Sequence, residues 1–182
     1  NLQQQTDYPN SGRVKILITP SDSVEMALQL RIPKWCHDAR VQINGKAAGG
    51  PIRSGDFFTM KRKWKNGDQV ELEMPMSWRF VRGRKSQSGR VAVMRGPVLF
   101  CVNPDYQKMG LSEGKTAGLE PVNTNDLTAE TLRYVIIDPG TLPQGPINDN
   151  SIRPGGMTCK IKAWRINNYM PIGPDMELVL TE

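Results

Sequence analysis

Histidine is almost absent from this chain of 182 residues, where His37 is the only one. That scarcity removes most nucleophilic triads and most zinc sites, because both lean on imidazole as base or ligand. Cysteine is scarce too. Cys36, Cys101 and Cys159 are odd in number and far apart, which fits neither a disulfide framework nor a paired-cysteine metal motif. No apolar run approaches the roughly 20 residues that cross a bilayer as a helix. The opening NLQQQTDYPN has neither the basic start nor the apolar stretch of a secretion signal. A G-x-S-x-G elbow, a phosphate-cradling glycine loop and an H-E-x-x-H pair are all missing.

What is present suits a soluble globular protein: 38% hydrophobic and 23% charged residues. The length allows one medium domain or two small ones. The net charge of +6 gathers at Lys61, Arg62, Lys63 and Lys65, and again at Arg79, Arg82, Arg84, Lys85 and Arg90. Such clusters attract polyanions in some proteins. Only Trp64 and Phe80 interleave with them and no nucleic-acid motif accompanies them, so they read as solvated strand faces and a loop. Neither nucleic acid nor a membrane is expected as a partner.

Alternation of apolar and polar residues dominates the first hundred positions. RVKILIT sets Val14, Ile16 and Ile18 to one side, VEMALQL sets Val24, Met26, Leu28 and Leu30, and QVELEM sets Val70, Leu72 and Met74 against Gln69, Glu71 and Glu73. VQI runs into Asn44–Gly45, a strong hairpin signal, and Asn66–Gly67–Asp68 marks another turn. FFTMKR, WRFVRG, RVAVMRG and PVLFCV supply further strands. Short strands at this spacing, with no amphipathic helix between them, predict an all-β antiparallel sandwich. The character changes after Asn103. A β-sandwich accessory domain over 1–103 is therefore expected, followed over 104–182 by a second β-rich region or by strands that complete the same sandwich. TAETLRYVI reads as a helical turn leading into a strand, Asp138 to Gly156 as a long loop, and MTCKIKAWR and MELVLT as strands. The chain starts without Met and stops just after MELVLT, and so reads as an excised piece.

No set of residues reads as catalytic or metal-binding. Cys36 and His37 adjoin, but neighbours on extended chain point to opposite sides, which spoils them as a dyad. Glycoside hydrolysis needs two carboxylates across a cleft, and Glu71 and Glu73 read instead as outward charges of one strand face. Trp64, Trp78 and Trp164 could offer stacking platforms to a carbohydrate.

Four segments in order, TDYPNSGRVKI, LQLRIPKWC, FTMKRKWKNGDQVELEMPM and SGRVAVMRGPVLFCV, resemble the region after the catalytic barrel in the DUF1680 proteins, the β-L-arabinofuranosidase-like glycoside hydrolases of families 127 and 146. The resemblance spans residues 6–102. It implies a bacterial multidomain parent whose upstream α/α barrel carries a zinc-held cysteine nucleophile, with β-sandwich regions behind it. No motif of that zinc site matches a position here, so neither catalysis nor zinc is expected of Cys36, Cys101 or Cys159. The implied role is a non-catalytic accessory region packed on the barrel; the alternative is a carbohydrate-binding module. Tyr8, Pro9 and Trp35 are the expected contacts with the barrel. Asn10, where the family often has Trp, and Lys34, where it often has Gly, depart from the pattern and leave the substrate subfamily open.

Overall fold

The computed structural model describes residues 1–102, 135–151, 153–167 and 170–182, with 135, 164–167 and 170–176 described by backbone alone. Fourteen strands and one short 3-10 turn make up its regular structure, without an α-helix among the described residues. The all-β expectation holds.

Two compact units divide the chain: Asn1–Ser77 with Arg95–Pro97, and Trp78–Met94 with Val98–Glu182. The expected change of character near 103–110 falls outside the described residues. So does the expected helical turn in 128–134.

The first unit is a sandwich of unequal layers. Its larger sheet has the order β1-β2-β7-β4-β5, from Leu2–Thr6, Arg13–Ile18, Asp68–Glu73, Arg40–Ile43 and Lys46–Ala47. The smaller sheet is one antiparallel pair, β3 (Val24–Arg31) and β6 (Phe57–Trp64), in register from Val24 opposite Trp64 to Arg31 opposite Phe57. Side chains one face at a time meet between the layers. Ile18, Val41, Val70 and Leu72 come from the larger sheet, and Leu30, Phe58, Met60 and Trp64 from the smaller. The period-two pattern of β7 is realised as read: Val70, Leu72 and Met74 are buried and Glu71 is exposed.

Turn chemistry sets the register. Asn44 and Gly45 both take positive φ, 51° and 76°, as a two-residue hairpin turn requires. Asn44 also accepts from the Gln69 N–H and donates through Nδ2 to Asp68. Asp68 is buried, and hydrogen bonds from the Asn44 side chain and from the Lys65 N–H hold its carboxyl below the usual carboxylate range.

The second unit is a seven-stranded antiparallel sheet in the order β11-β13-β14-β10-β9-β8, with β12 also paired to β13. It takes in β8 (Trp78–Arg82), β9 (Val91–Arg95), β10 (Val98–Val102), β11 (Val135–Ile137), β12 (Gln144–Asn148), β13 (Met157–Asn167) and β14 (Met170–Thr181). The late strands thus pair with β8–β10 rather than with the first sandwich. Val93, Phe100, Met157, Cys159, Ile161, Leu178 and Leu180 are buried together as its core. One expectation is corrected here. Residues 138–156 are not all loop, because β12 lies within them and docks on β13 across a register shift between Gln144 and Ile147.

Leu72 gives a direct test of the first core. Leu72→Ala should destabilise by about 2–3 kcal/mol, the low end for a buried leucine, because the space it leaves adjoins a cleft that lets neighbours relax. Glu71→Ala should change stability by no more than about 0.5 kcal/mol. Urea denaturation of both variants checks the register, and equal effects would contradict it.

Candidate functional site

Three features compete for a functional role: the cysteines, the tryptophans and a cleft in the first unit.

Cys36 is 1% exposed, in the turn after β3, where its N–H donates to the Pro33 carbonyl. Burial pushes its thiol up from the ordinary value. His37 points the other way, exposed, with Nδ1 at 3.3 Å from the Ser54 hydroxyl. The two do not form a dyad. Cys159 is wholly buried in the second core, and burial pushes its thiol up to about 12. Only Cys101 is exposed. A thiolate is the reactive form of cysteine, so a disulfide reagent at pH 8 should modify one thiol of the three quickly, and Cys101→Ser should remove that reaction. Rapid modification of Cys36 would contradict this placement.

The zinc implied by the sequence resemblance does not fit these residues. Cys36 and Cys159 lie in separate cores, and no three His, Cys, Asp or Glu side chains cluster among the described residues. Nor, among the described residues, is any helix long and apolar enough to cross a membrane.

Trp64 is fully buried; its Nε1 donates to the Met26 carbonyl at 3.0 Å, and the Arg62 guanidinium sits over its ring at 5.0 Å. A ring without solvent-facing surface offers nothing for a sugar to stack on. Trp78 is half-buried in β8 and tilted against Phe100, 4.9 Å between ring centres. The side chain of Trp164 lies outside the described residues. Trp35 is half-buried and packs on the first core, Tyr8 is 40% exposed, and Pro9 is exposed beside it.

The cleft measures about 720 Å³ and lies wholly within the first unit. Its walls have different origins. Leu2, Gln4, Thr6 and Tyr8 alternate along and just past β1, and Val14, Ile16, Leu72 and Met74 alternate along β2 and along and just past β7, so this wall is a sheet face. The other wall is Leu28, Gln29, Leu30 and Arg31 in unbroken succession. Consecutive residues line a space only from the edge of a strand. No acid-base pair stands in it: the ionisable residues of its lining are Tyr8 and Arg31. Sequence reasoning missed this cleft, for it depends on which strands lack a neighbour.

Residues 1–76 match the family model of the β-L-arabinofuranosidase GH127 middle domain. The match ends one residue short of Ser77, where the main stretch of the first unit ends. Similarity to GH127 proteins extends further. The non-reducing end β-L-arabinofuranosidase of Bifidobacterium longum subsp. longum is 33% identical over 129 residues, covering 63% of this chain and 19% of its own length. The chain therefore spans about a fifth of that curated relative. A crystal structure of a GH127 β-L-arabinofuranosidase from Geobacillus stearothermophilus T6 aligns over 99% of this chain and 27% of its own, with a TM-score of 0.72 and 23% identity. Another GH127 β-arabinofuranosidase aligns over 99% of this chain and 28% of its own, at 0.69 and 22%. At such identities these two structures establish the fold.

Proposed function

We propose that this chain is a non-catalytic, β-structured part of a GH127-type glycoside hydrolase whose parent acts on L-arabinofuranosides. It follows the catalytic α/α barrel, which carries the zinc and the nucleophile, and it serves as that barrel's structural support. The observation that carries the reading is the coincidence of the middle-domain match with one compact structural unit. The inert placement of Cys36 and the outward-facing His37 agree with it. Membership of the wider DUF1680 group, including family 146, rests on the four sequence segments. Tyr8, Pro9 and Trp35 are proposed contacts with the barrel, since all three keep some exposed surface. A carbohydrate-binding role draws less support, with Trp64 sealed inside the core.

The test is an assay of the purified chain on a chromogenic β-L-arabinofuranoside, with metal analysis of the same sample. No hydrolysis and no stoichiometric zinc are expected. Turnover that survives repurification and vanishes in Cys36→Ser would overturn the proposal.

A further inference from the structure

The first unit is one strand short. Its five-stranded sheet faces a two-stranded one, and among the described residues β3 pairs on one side only, with β6. The direction of its free groups follows from the register. The Ile32 N–H donates to the Asp56 carbonyl at 2.9 Å, continuing the β3–β6 ladder by one step. Bonded and non-bonded pairs alternate in an antiparallel ladder. Leu30, Leu28 and Met26 therefore bond to β6, while Arg31, Gln29, Ala27 and Glu25 turn their N–H and C=O groups to the open side. Gln29 and Arg31 are the members of this outward set that line the cleft. Unpaired backbone thus borders a cavity whose far wall is the apolar face of Val14, Ile16 and Leu72.

Burial of the neighbouring side chains records the same gap. Val14, Ile16, Met26 and Leu28 occupy inward positions of their strands, yet all four are only partly buried, whereas Ile18, Val41 and Val70 are nearly or wholly covered. A strand laid beside β3 would lie about 4.8 Å from it and about 10 Å from the sheet opposite. It would pair the outward groups of β3 and cover those four side chains together.

We propose that this cleft is a strand-acceptor groove, filled by an extended segment of the parent polypeptide from outside residues 1–182. The inference rests on the reading that this chain is part of a larger hydrolase. The chain spans only 19% of the length of the curated relative, which leaves ample polypeptide to provide such a segment. Three edge strands of a second copy, β1, β5 and β8, suit the groove poorly. Strand β1 carries Leu2, Gln4 and Thr6 on one side and Gln3 and Gln5 on the other, so neither side is an apolar row. Strand β5 has two residues, and Trp78 and Phe80 of β8 already pack on the second core. The incoming segment supplies about four to six residues, alternate ones apolar, with main-chain pairing providing much of the affinity, as in other strand-addition complexes.

Residue-resolved amide hydrogen exchange on this chain and on the full-length parent tests the proposal. In the isolated chain the Ala27, Gln29 and Arg31 amides should exchange quickly, while those of Met26, Leu28 and Leu30 are protected. In the parent, the first set should slow by about 100-fold or more, as amides in a stable ladder do. Leu28→Lys in the parent, which places a charge under the incoming strand, should return them toward the fast rate while β7 amides stay protected. If Leu28 becomes buried in the parent but the three amides still exchange quickly, a surface packs there without pairing, and the strand assignment fails. Protection that appears in the isolated chain and grows with its concentration would assign the groove to a second copy and overturn the proposal. The arabinofuranosidase assay of the same parent sample keeps the two readings apart. An active parent with unprotected amides rejects the strand alone, and an inactive one with protected amides rejects the functional reading alone.

Discussion

Replacing Trp64 with Ala is expected to destabilise the first unit by about 3–5 kcal/mol. Trp64 is the largest fully buried side chain among the described residues, at 0% exposure, and it closes the end of the β3–β6 layer against the larger sheet. Truncation removes its apolar contacts and leaves a void that the strands around it cannot collapse into. It also takes the indole donor from the Met26 carbonyl and the ring from beneath Arg62. Trp64→Phe separates these contributions. It keeps most of the apolar volume and loses the hydrogen bond, worth about 1 kcal/mol net, so a smaller loss is expected. Hydrogen exchange of β7 amides reads the effect within the first unit, where a global melt would mix both units. If Trp64→Ala matched the exposed Lys63→Ala, within about 0.5 kcal/mol, the assignment of Trp64 as the core's anchor would be wrong.

Gly12→Ala should be comparably severe, at about 3 kcal/mol or more, for a different reason. A methyl group built on Gly12 would sit 1.9 Å from the Met74 carbonyl oxygen. That atom is backbone and cannot rotate aside. The two residues are also clamped, since the Met74 N–H donates to the Gly12 carbonyl at 2.8 Å. Overpacking typically costs about 1–3 kcal/mol, and separating the strands here forfeits the hydrogen bond as well. Gly45→Ala is the fitting control. Its φ of +76° makes any side chain strained, but the space around it is open, so the loss should stay near the roughly 1–2 kcal/mol of left-handed backbone strain. For a unit of this size each kcal/mol lowers the melting temperature by about 4–8 °C. The two variants should therefore separate clearly when melting of the first unit is followed through its β7 amides. Gly12→Ala melting at or above Gly45→Ala would show that β2 and β7 part there more easily than their contact implies.

Much of this architecture could be read from the sequence, for identifiable reasons. Strands β2 and β7 each bury one face against a core, so their residues alternate and the period is visible. The Asn44–Gly45 hairpin was legible because its backbone needs two positive φ values that few other pairs tolerate. Strand β1 was not legible. Every residue of LQQQT is exposed, and its pairing with β2 rests on main-chain groups that carry no side-chain signature. Strand β12 was hidden by Gly145 and Pro146, residues that usually break strands and here sit in an edge strand with a shifted register. The passage between units at Ser77–Trp78 is marked only by the four residues Met74, Pro75, Met76 and Ser77 between β7 and β8, too short and too apolar to read as a linker. The cleft was out of reach for a related reason. Alternation says that Leu28 faces inward, but not whether anything lies opposite. The tryptophans show the same limit: Trp64 and Trp78 look alike in sequence, and neighbours alone decided that one is sealed and the other half-buried.

The distribution of thiols, two enclosed and one on the surface of β10, has a stoichiometric consequence under oxidising conditions. With Cys36 and Cys159 out of reach of solvent, Cys101 has no partner within its own folded chain. Air oxidation of the native protein should therefore yield a covalent pair of chains and stop there, since each molecule brings a single valence to the reaction. Larger disulfide-linked species would report that a core has opened, so the ladder on a non-reducing gel becomes a direct count of unfolding.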